Sequence, residues 1–178
     1  MKNHFIKYIS ALLFSTSLMA VDSGIYIELG AGVGMSDKLN AKASNYSHDG
    51  GQFGSLALGY QSTVYRFELE NIYKISPLSD EDKGDVVQNT QMLNFYFSGY
   101  NHSKMVTTFG FGAGISSYSV EELENENIFT YQAMFSIGYM IGKSLTITPE
   151  YSYMRTIKSD DFDRNSDHLI SLTARYLF

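Results

Sequence analysis

The 178-residue sequence contains no cysteine, no tryptophan and only two prolines. Without cysteine there can be no disulfide framework, thiolate zinc site, cysteine nucleophile or lipid attached through an N-terminal Cys. Positive charge is also scarce, with 13 Lys and Arg against 19 Asp and Glu and a formal charge of −6. Binding to nucleic acid, which needs a basic footprint, is therefore not expected. After Ala20 no apolar run approaches the roughly 20 residues that a membrane-spanning helix requires. With a mean hydropathy of −0.15, the composition taken alone describes one ordinary soluble domain.

The first twenty residues stand apart. MKNHFIKY carries Lys2 and Lys7, ISALLFSTSL is a short apolar run, and Leu18-Met19-Ala20 ends on a small residue. This is the layout of a secretory signal peptide, too short in its apolar part to span a bilayer as a helix. Residues 1–20 are read as a cleaved leader and 21–178 as the mature domain. Cleavage would remove both lysines, so the charge of −6 becomes −8.

What the mature sequence does have is alternation. Ile25, Ile27, Leu29, Ala31 and Val33 occupy odd positions, and Tyr26, Glu28, Gly30, Gly32 and Gly34 the even ones. A period of two specifies a strand with one apolar face and one small or polar face. The pattern returns over residues 52–61, 64–75, 90–100, 105–118, 129–141, 145–153 and 167–178. Eight strand candidates of roughly nine to twelve residues have the length needed to cross a bilayer at a tilt. Their connections alternate between short (61–63, 101–103, 142–144) and long (36–51, 76–89, 119–128, 155–166). Short turns at one end and long loops at the other predict an all-β fold, an eight-stranded antiparallel up-and-down transmembrane barrel with both termini at the periplasmic end.

The orientation of the alternation separates this fold from a soluble barrel, whose apolar side chains point inward. One face here carries Glu28, Arg66, Glu68, Glu70, Glu150 and Arg175, while the other is almost free of charge. Turned inward, Phe and Tyr at that density would overfill an eight-stranded lumen; turned outward in water, they would form one very large apolar patch. Only lipid suits that face. Tyr60, Tyr65, Tyr139, Tyr176 and Phe178 fall near the short-turn ends, and Tyr73, Tyr131, Tyr151 and Tyr153 near the long-loop ends, as two interfacial girdles would require.

The enclosed charges must neutralise one another. Arg175 is expected to bridge Glu28 and Glu150 across the seam where first and last strands meet, and Arg66 to form a second cluster with Glu68 and Glu70, together a structural plug. The spacing Asp161-x-Asp163-x-Asn165-x-Asp167 resembles the start of a calcium loop. However, Ser166 replaces the required Gly and Leu172 the closing Glu, so a solvated acidic loop is expected and no metal site. The run 79–85 is read likewise as a surface loop. Lipid-modifying chemistry would need a Ser or His near the outer leaflet. Of His48, His102 and His168 only the last has a suitable depth, with Ser166 and Asp167 beside it. LGAGVG at 29–34 lies within an alternating strand with no helix after it, which argues against a nucleotide loop. No cofactor is expected.

These residues carry a family likeness. LGAGVG at 29–34, FGFGAGIS at 109–116, the pair LALGYQ at 56–61 and YRFELE at 65–70, and the terminal ARYLF resemble the small outer-membrane barrels of the opacity-protein and OmpA/OmpX-like superfamily. The resemblance implies an outer-membrane location in a Gram-negative bacterium, and it makes Tyr176 and Phe178 the signal read by the barrel-assembly machinery. With the sequence ending at Phe178, no cell-wall-binding domain is expected to follow. The resemblance further implies a non-enzymatic surface antigen or adhesin. Its partners would be outer-membrane lipid and a host or cell-surface ligand held by the loops, and an envelope-structural role is equally in keeping. A small porin-like channel is the alternative, followed by a lipid-A-modifying barrel enzyme.

Overall fold

A computed structural model describes residues 23–36, 39–41, 44–46, 50–77, 85–100, 104–120, 123–157 and 165–178. The leader, His48, His102, Asp161 and Asp163 lie outside these residues. Ten strands follow in chain order: β1 (Gly24–Ser36), β2 (Leu39–Ala41), β3 (Ser44–Tyr46), β4 (Gly51–Gln61), β5 (Tyr65–Pro77), β6 (Asp85–Tyr100), β7 (Met105–Val120), β8 (Leu123–Ile141), β9 (Leu145–Thr156) and β10 (Ser166–Leu177). β1 and β4–β10 form a closed antiparallel barrel in which every strand pairs with its sequence neighbour and β1 closes on β10. The eight-stranded meander read from the alternation is the fold.

Three of the expected long connections contain more strand than their composition indicated. β2 and β3 form a small two-stranded sheet within the first. β5 runs to Pro77 and β6 begins at Asp85. β7 and β8 stay paired as far as Val120 opposite Leu123, with one register shift after Tyr118, so the two strands run well into the expected loop over 119–128. The reason is that a ladder is made by backbone groups. Beyond the lipid, both faces of a hairpin can be polar, the apolar alternation fades, and the hydrogen bonds continue.

Following the register from Thr146 on β9 through Arg175, Glu28, Ala57, Glu70, Met92, Gly114 and Thr130 returns to β9 at Thr156, ten residues further along. Closure with that stagger requires the strands to tilt by roughly 40° from the barrel axis. Once the stagger is taken into account, Tyr60, Tyr65, Tyr139 and Tyr176 fall within about one residue of a common level. All four are exposed on the outer face, as are Tyr73, Tyr131 and Tyr151 toward the other end.

Exposure alternates with the sequence. Leu69, Leu93 and Leu29 are 65%, 61% and 59% exposed, whereas Tyr26 and Tyr96 of the other phase are 0% and 1%. Among the described side chains of the eight barrel strands, only Asp85 and Arg155 put charge on the outer face. The inward glycines make room for bulk from the adjacent strand. A Cβ on Gly110 would strike the Tyr96 ring, and one on Gly59 would strike the Tyr26 ring. Pro149 sits where the β8–β9 ladder is interrupted between Ser136/Glu150 and Tyr139/Ile147, consistent with its missing N–H.

Leu56 lies near the middle of the apolar belt, half exposed and paired in register with Leu29 and Asn71. Leu56→Arg should cost about 2–4 kcal/mol of folding free energy in lipid vesicles, against little for Lys143→Glu at the exposed β8–β9 turn. Equal unfolding midpoints in urea for the two variants would count against a lipid-facing Leu56.

Candidate functional site

Among the described residues, the lumen gathers charged and polar side chains from distant parts of the chain. The period of two turns Tyr26 and Glu28 of β1 inward, together with Arg66, Glu68, Glu70, Ile72 and Lys74 of β5, Glu150 of β9, and Asp167 and Arg175 of β10. These side chains arrange themselves in three levels.

Toward the periplasmic end lies a charged cluster. Arg66 Nη1 is 3.4 Å from Glu28 Oε2, and Arg175 Nη1 is 3.9 Å from the same oxygen. The Arg66 guanidinium also stands 4.2 Å from the centre of the Tyr96 ring and 5.6 Å from that of Tyr26, while Arg175 lies 5.4 Å from the Tyr26 ring. Both cations are thus held by a carboxylate and by aromatic faces. Glu68 accepts from the Tyr26 hydroxyl at 2.7 Å and from the Tyr96 hydroxyl at 2.7 Å. Asn94 Nδ2 donates to Glu68 at 3.0 Å and to Glu70 at 2.8 Å. Gln132 Nε2 donates to Asn94 Oδ1 at 2.8 Å and to Glu70 at 3.3 Å.

Two expectations about this cluster need correction. Arg66 pairs with Glu28 two strands away, and the carboxylates of its own strand are held by hydroxyl and amide donors. Side chains two apart on one strand project in parallel, so Arg66 reaches across the lumen more readily than along β5. Arg175 turns to Glu28, whereas Glu150 accepts from Ser152 Oγ at 3.3 Å. The two expected clusters are one network with Glu28 at its centre.

Above it, Phe53, Ile72, Met92, Met154 and Leu169 form a buried apolar layer. Ile72 lies between Glu70 and Lys74 on β5, and Leu169 between Asp167 and Ser171 on β10, so these apolar side chains stand between the charged cluster and a second polar level, with buried Thr90, Gln132 and Ser152 opposite Ile72, Met154 and Leu169. At that upper level Lys74 Nζ is 2.8 Å from Asp167 Oδ1 and donates to Ser36 Oγ at 2.7 Å, and Ser36 donates to Asp167 in turn. Lys74 and Asp167 are each 2% exposed. Sequence reasoning missed this pair. Lys74 continues the inward phase of Arg66, Glu68 and Glu70, and Asp167 shares the phase of Arg175, so the signal was in the same alternation. Counting Asp167 with the acidic loop spacing hid it.

Tyr176 and Phe178, the residues likened to an assembly signal, lie on the outer face at the end of β10 with ring centres 5.3 Å apart. His168 is also on the outer face, as is Ser166, whereas Asp167 between them points inward to Lys74. His168 Nδ1 and the Tyr151 hydroxyl are 2.7 Å apart, and Ser166 Oγ accepts from the Tyr153 hydroxyl at 3.2 Å. The hydrogen bonds of Ser166 and His168 thus go to two tyrosines, and the neighbouring carboxylate is turned away.

A closed, tilted eight-stranded meander with an apolar exterior is the architecture of the small outer-membrane β-barrels, and the chain has that fold. The crystal structure of Neisserial surface protein A superposes with a TM-score of 0.72 at 12% identity, over 88% of this chain and 99% of that one. The outer membrane protein OprG from Pseudomonas aeruginosa superposes with a TM-score of 0.57 at 11% identity, over 91% and 100%. No protein-family model matches the sequence, and no curated protein matches it.

Proposed function

We propose that the chain is a non-conducting, non-enzymatic outer-membrane barrel that fixes its outer connections at the cell surface, where they serve adhesion, surface recognition or envelope structure. The observation that carries this reading is the apolar cluster of Phe53, Ile72, Met92, Met154 and Leu169 between two polar levels whose charged side chains are held by ion pairs and hydrogen bonds. An ion crossing the lumen would have to leave one set of charged partners and pass these five apolar side chains, where Thr90, Gln132 and Ser152, opposite Ile72, Met154 and Leu169, offer it only neutral groups. The catalytic alternative lacks support at His168, whose ring bonds Tyr151 and whose neighbour Ser166 bonds Tyr153, with no base-to-nucleophile hydrogen bond between them. In this reading the partners are outer-membrane lipid, the barrel-assembly machinery acting on Tyr176 and Phe178, and a ligand on a host or neighbouring cell.

Planar-bilayer recording on the refolded protein tests the closed lumen. No steady unitary current is expected at physiological salt, and reproducible unitary steps would replace this reading with the small-channel one. Surface proteolysis of intact cells should cleave the outer connections and spare the turn at 142–144; cleavage confined to that turn would invert the topology.

A further inference from the structure

The outer face of the barrel strands carries little charge among the described side chains. Arg155 near the end of β9 is the only cation among their described outward side chains, and no carboxylate among the described residues pairs with it. It stands directly opposite Ser166 of β10, and the next outward pair along the two strands is Tyr153 opposite His168. Directly opposed side chains have Cβ atoms about 5 Å apart and diagonal ones about 7–8 Å, so Arg155, Ser166 and His168 can converge on one small group.

The donors are already oriented. The Tyr153 ring centre is 5.2 Å from that of His168, which fixes one side of the imidazole. The Tyr151 hydroxyl lies 2.7 Å from His168 Nδ1. With that hydroxyl donating, Nδ1 is the acceptor and the ring proton sits on Nε2, free for a further partner. The Tyr153 hydroxyl donates to Ser166 Oγ at 3.2 Å, leaving the serine proton free to donate in turn. A guanidinium, an imidazole N–H and a hydroxyl on one face make a donor set for a tetrahedral anion.

The level of this patch selects its occupant. Allowing for the ten-residue stagger, Arg155 and His168 lie within about one residue of Tyr73 and Tyr131 of the outer girdle. That is where the acyl region gives way to headgroups. A cation in hydrocarbon is costly, but at this level it meets lipid phosphate. We infer that Arg155, His168 and Ser166 bind a phosphate group of an outer-leaflet lipid, with Tyr151 and Tyr153 orienting the donors and packing against the lipid below.

The test uses the full chain refolded in phosphatidylcholine nanodiscs containing either diphosphorylated lipid A or the same lipid with both phosphates removed, and reads the lipid retained after detergent extraction by native mass spectrometry. Wild-type protein should retain the phosphorylated lipid at least fivefold over the dephosphorylated one. Arg155→Ala and His168→Phe, the latter keeping a ring against Tyr153, should each abolish that preference, whereas Lys143→Ala at the opposite end should not. Heat-modifiable migration on gels confirms that each variant is folded. Unchanged preference in both variants overturns the proposal. Equal displacement of phosphorylated lipid by millimolar inorganic phosphate would overturn the lipid as the source and assign the site to the free anion.

Discussion

Arg66→Ala is expected to lower the stability of the refolded barrel by about 3–5 kcal/mol, because it strips the nearer cation from a buried carboxylate. Arg66 is 2% exposed and stands between Glu28, 3.4 Å away, and the face of Tyr96. Its loss leaves Glu28 with Arg175 at 3.9 Å, too long for a good charge-assisted hydrogen bond. It also removes the cation that lies over the ring of Tyr96, one of the two tyrosines that hold Glu68. The measurement is the urea midpoint in lipid vesicles, followed by heat-modifiable migration. Adding Glu28→Gln to Arg66→Ala should recover part of the loss, since the uncompensated charge goes with it. A single variant unfolding at the wild-type midpoint would show that the lower network carries no stability.

The second large effect is at the upper level. Lys74→Ala leaves Asp167, itself 2% exposed, with the Ser36 hydroxyl as hydrogen-bond donor but no cation beside it, next to an apolar cluster, and should cost about 3–5 kcal/mol. Here the informative comparison is the double variant Lys74→Met with Asp167→Leu. Replacing a buried pair by apolar residues of similar size is often close to neutral, so the double variant should unfold near wild type. If it were as unstable as the single variant, packing around Lys74 rather than charge pairing would be the source of the loss.

The architecture was legible because one physical rule, the alternation of side chains across a strand, is repeated eight times, and each repetition constrains the rest. The inward phase of Glu28, Arg66, Glu68, Glu70, Glu150 and Arg175 followed from the same rule. The choice of partner did not follow, because it depends on the stagger. Ten residues of displacement around the barrel bring Arg66 to Glu28 rather than to its own strand's carboxylates, and stagger leaves no trace in any one strand's sequence. Strand ends were hidden for a different reason. β7 and β8 lose their apolar alternation beyond Ser117 and Asn127 while pairing continues at Tyr118 with Glu126 and at Val120 with Leu123, so composition described a loop where strand persists. The outer patch was missed because Arg155 was counted with the long connection over 155–166, whereas β9 runs to Thr156 and sets Arg155 directly opposite Ser166.

The layered lumen also bears on how such a sheet can close. Lys74 on β5 needs Asp167 on β10, and Arg66 on β5 needs Glu28 on β1, so neither cation is neutralised by a neighbouring strand. A sheet that has formed every hairpin but has not joined β1 to β10 still holds its backbone ladders, yet its charges face an open edge. The meeting of first and last strands brings Lys74 to Asp167, Arg175 to Glu28 and Leu169 into the apolar cluster in one step. Partly closed forms are therefore penalised, and the ends of the chain act as a latch that admits only the complete cylinder.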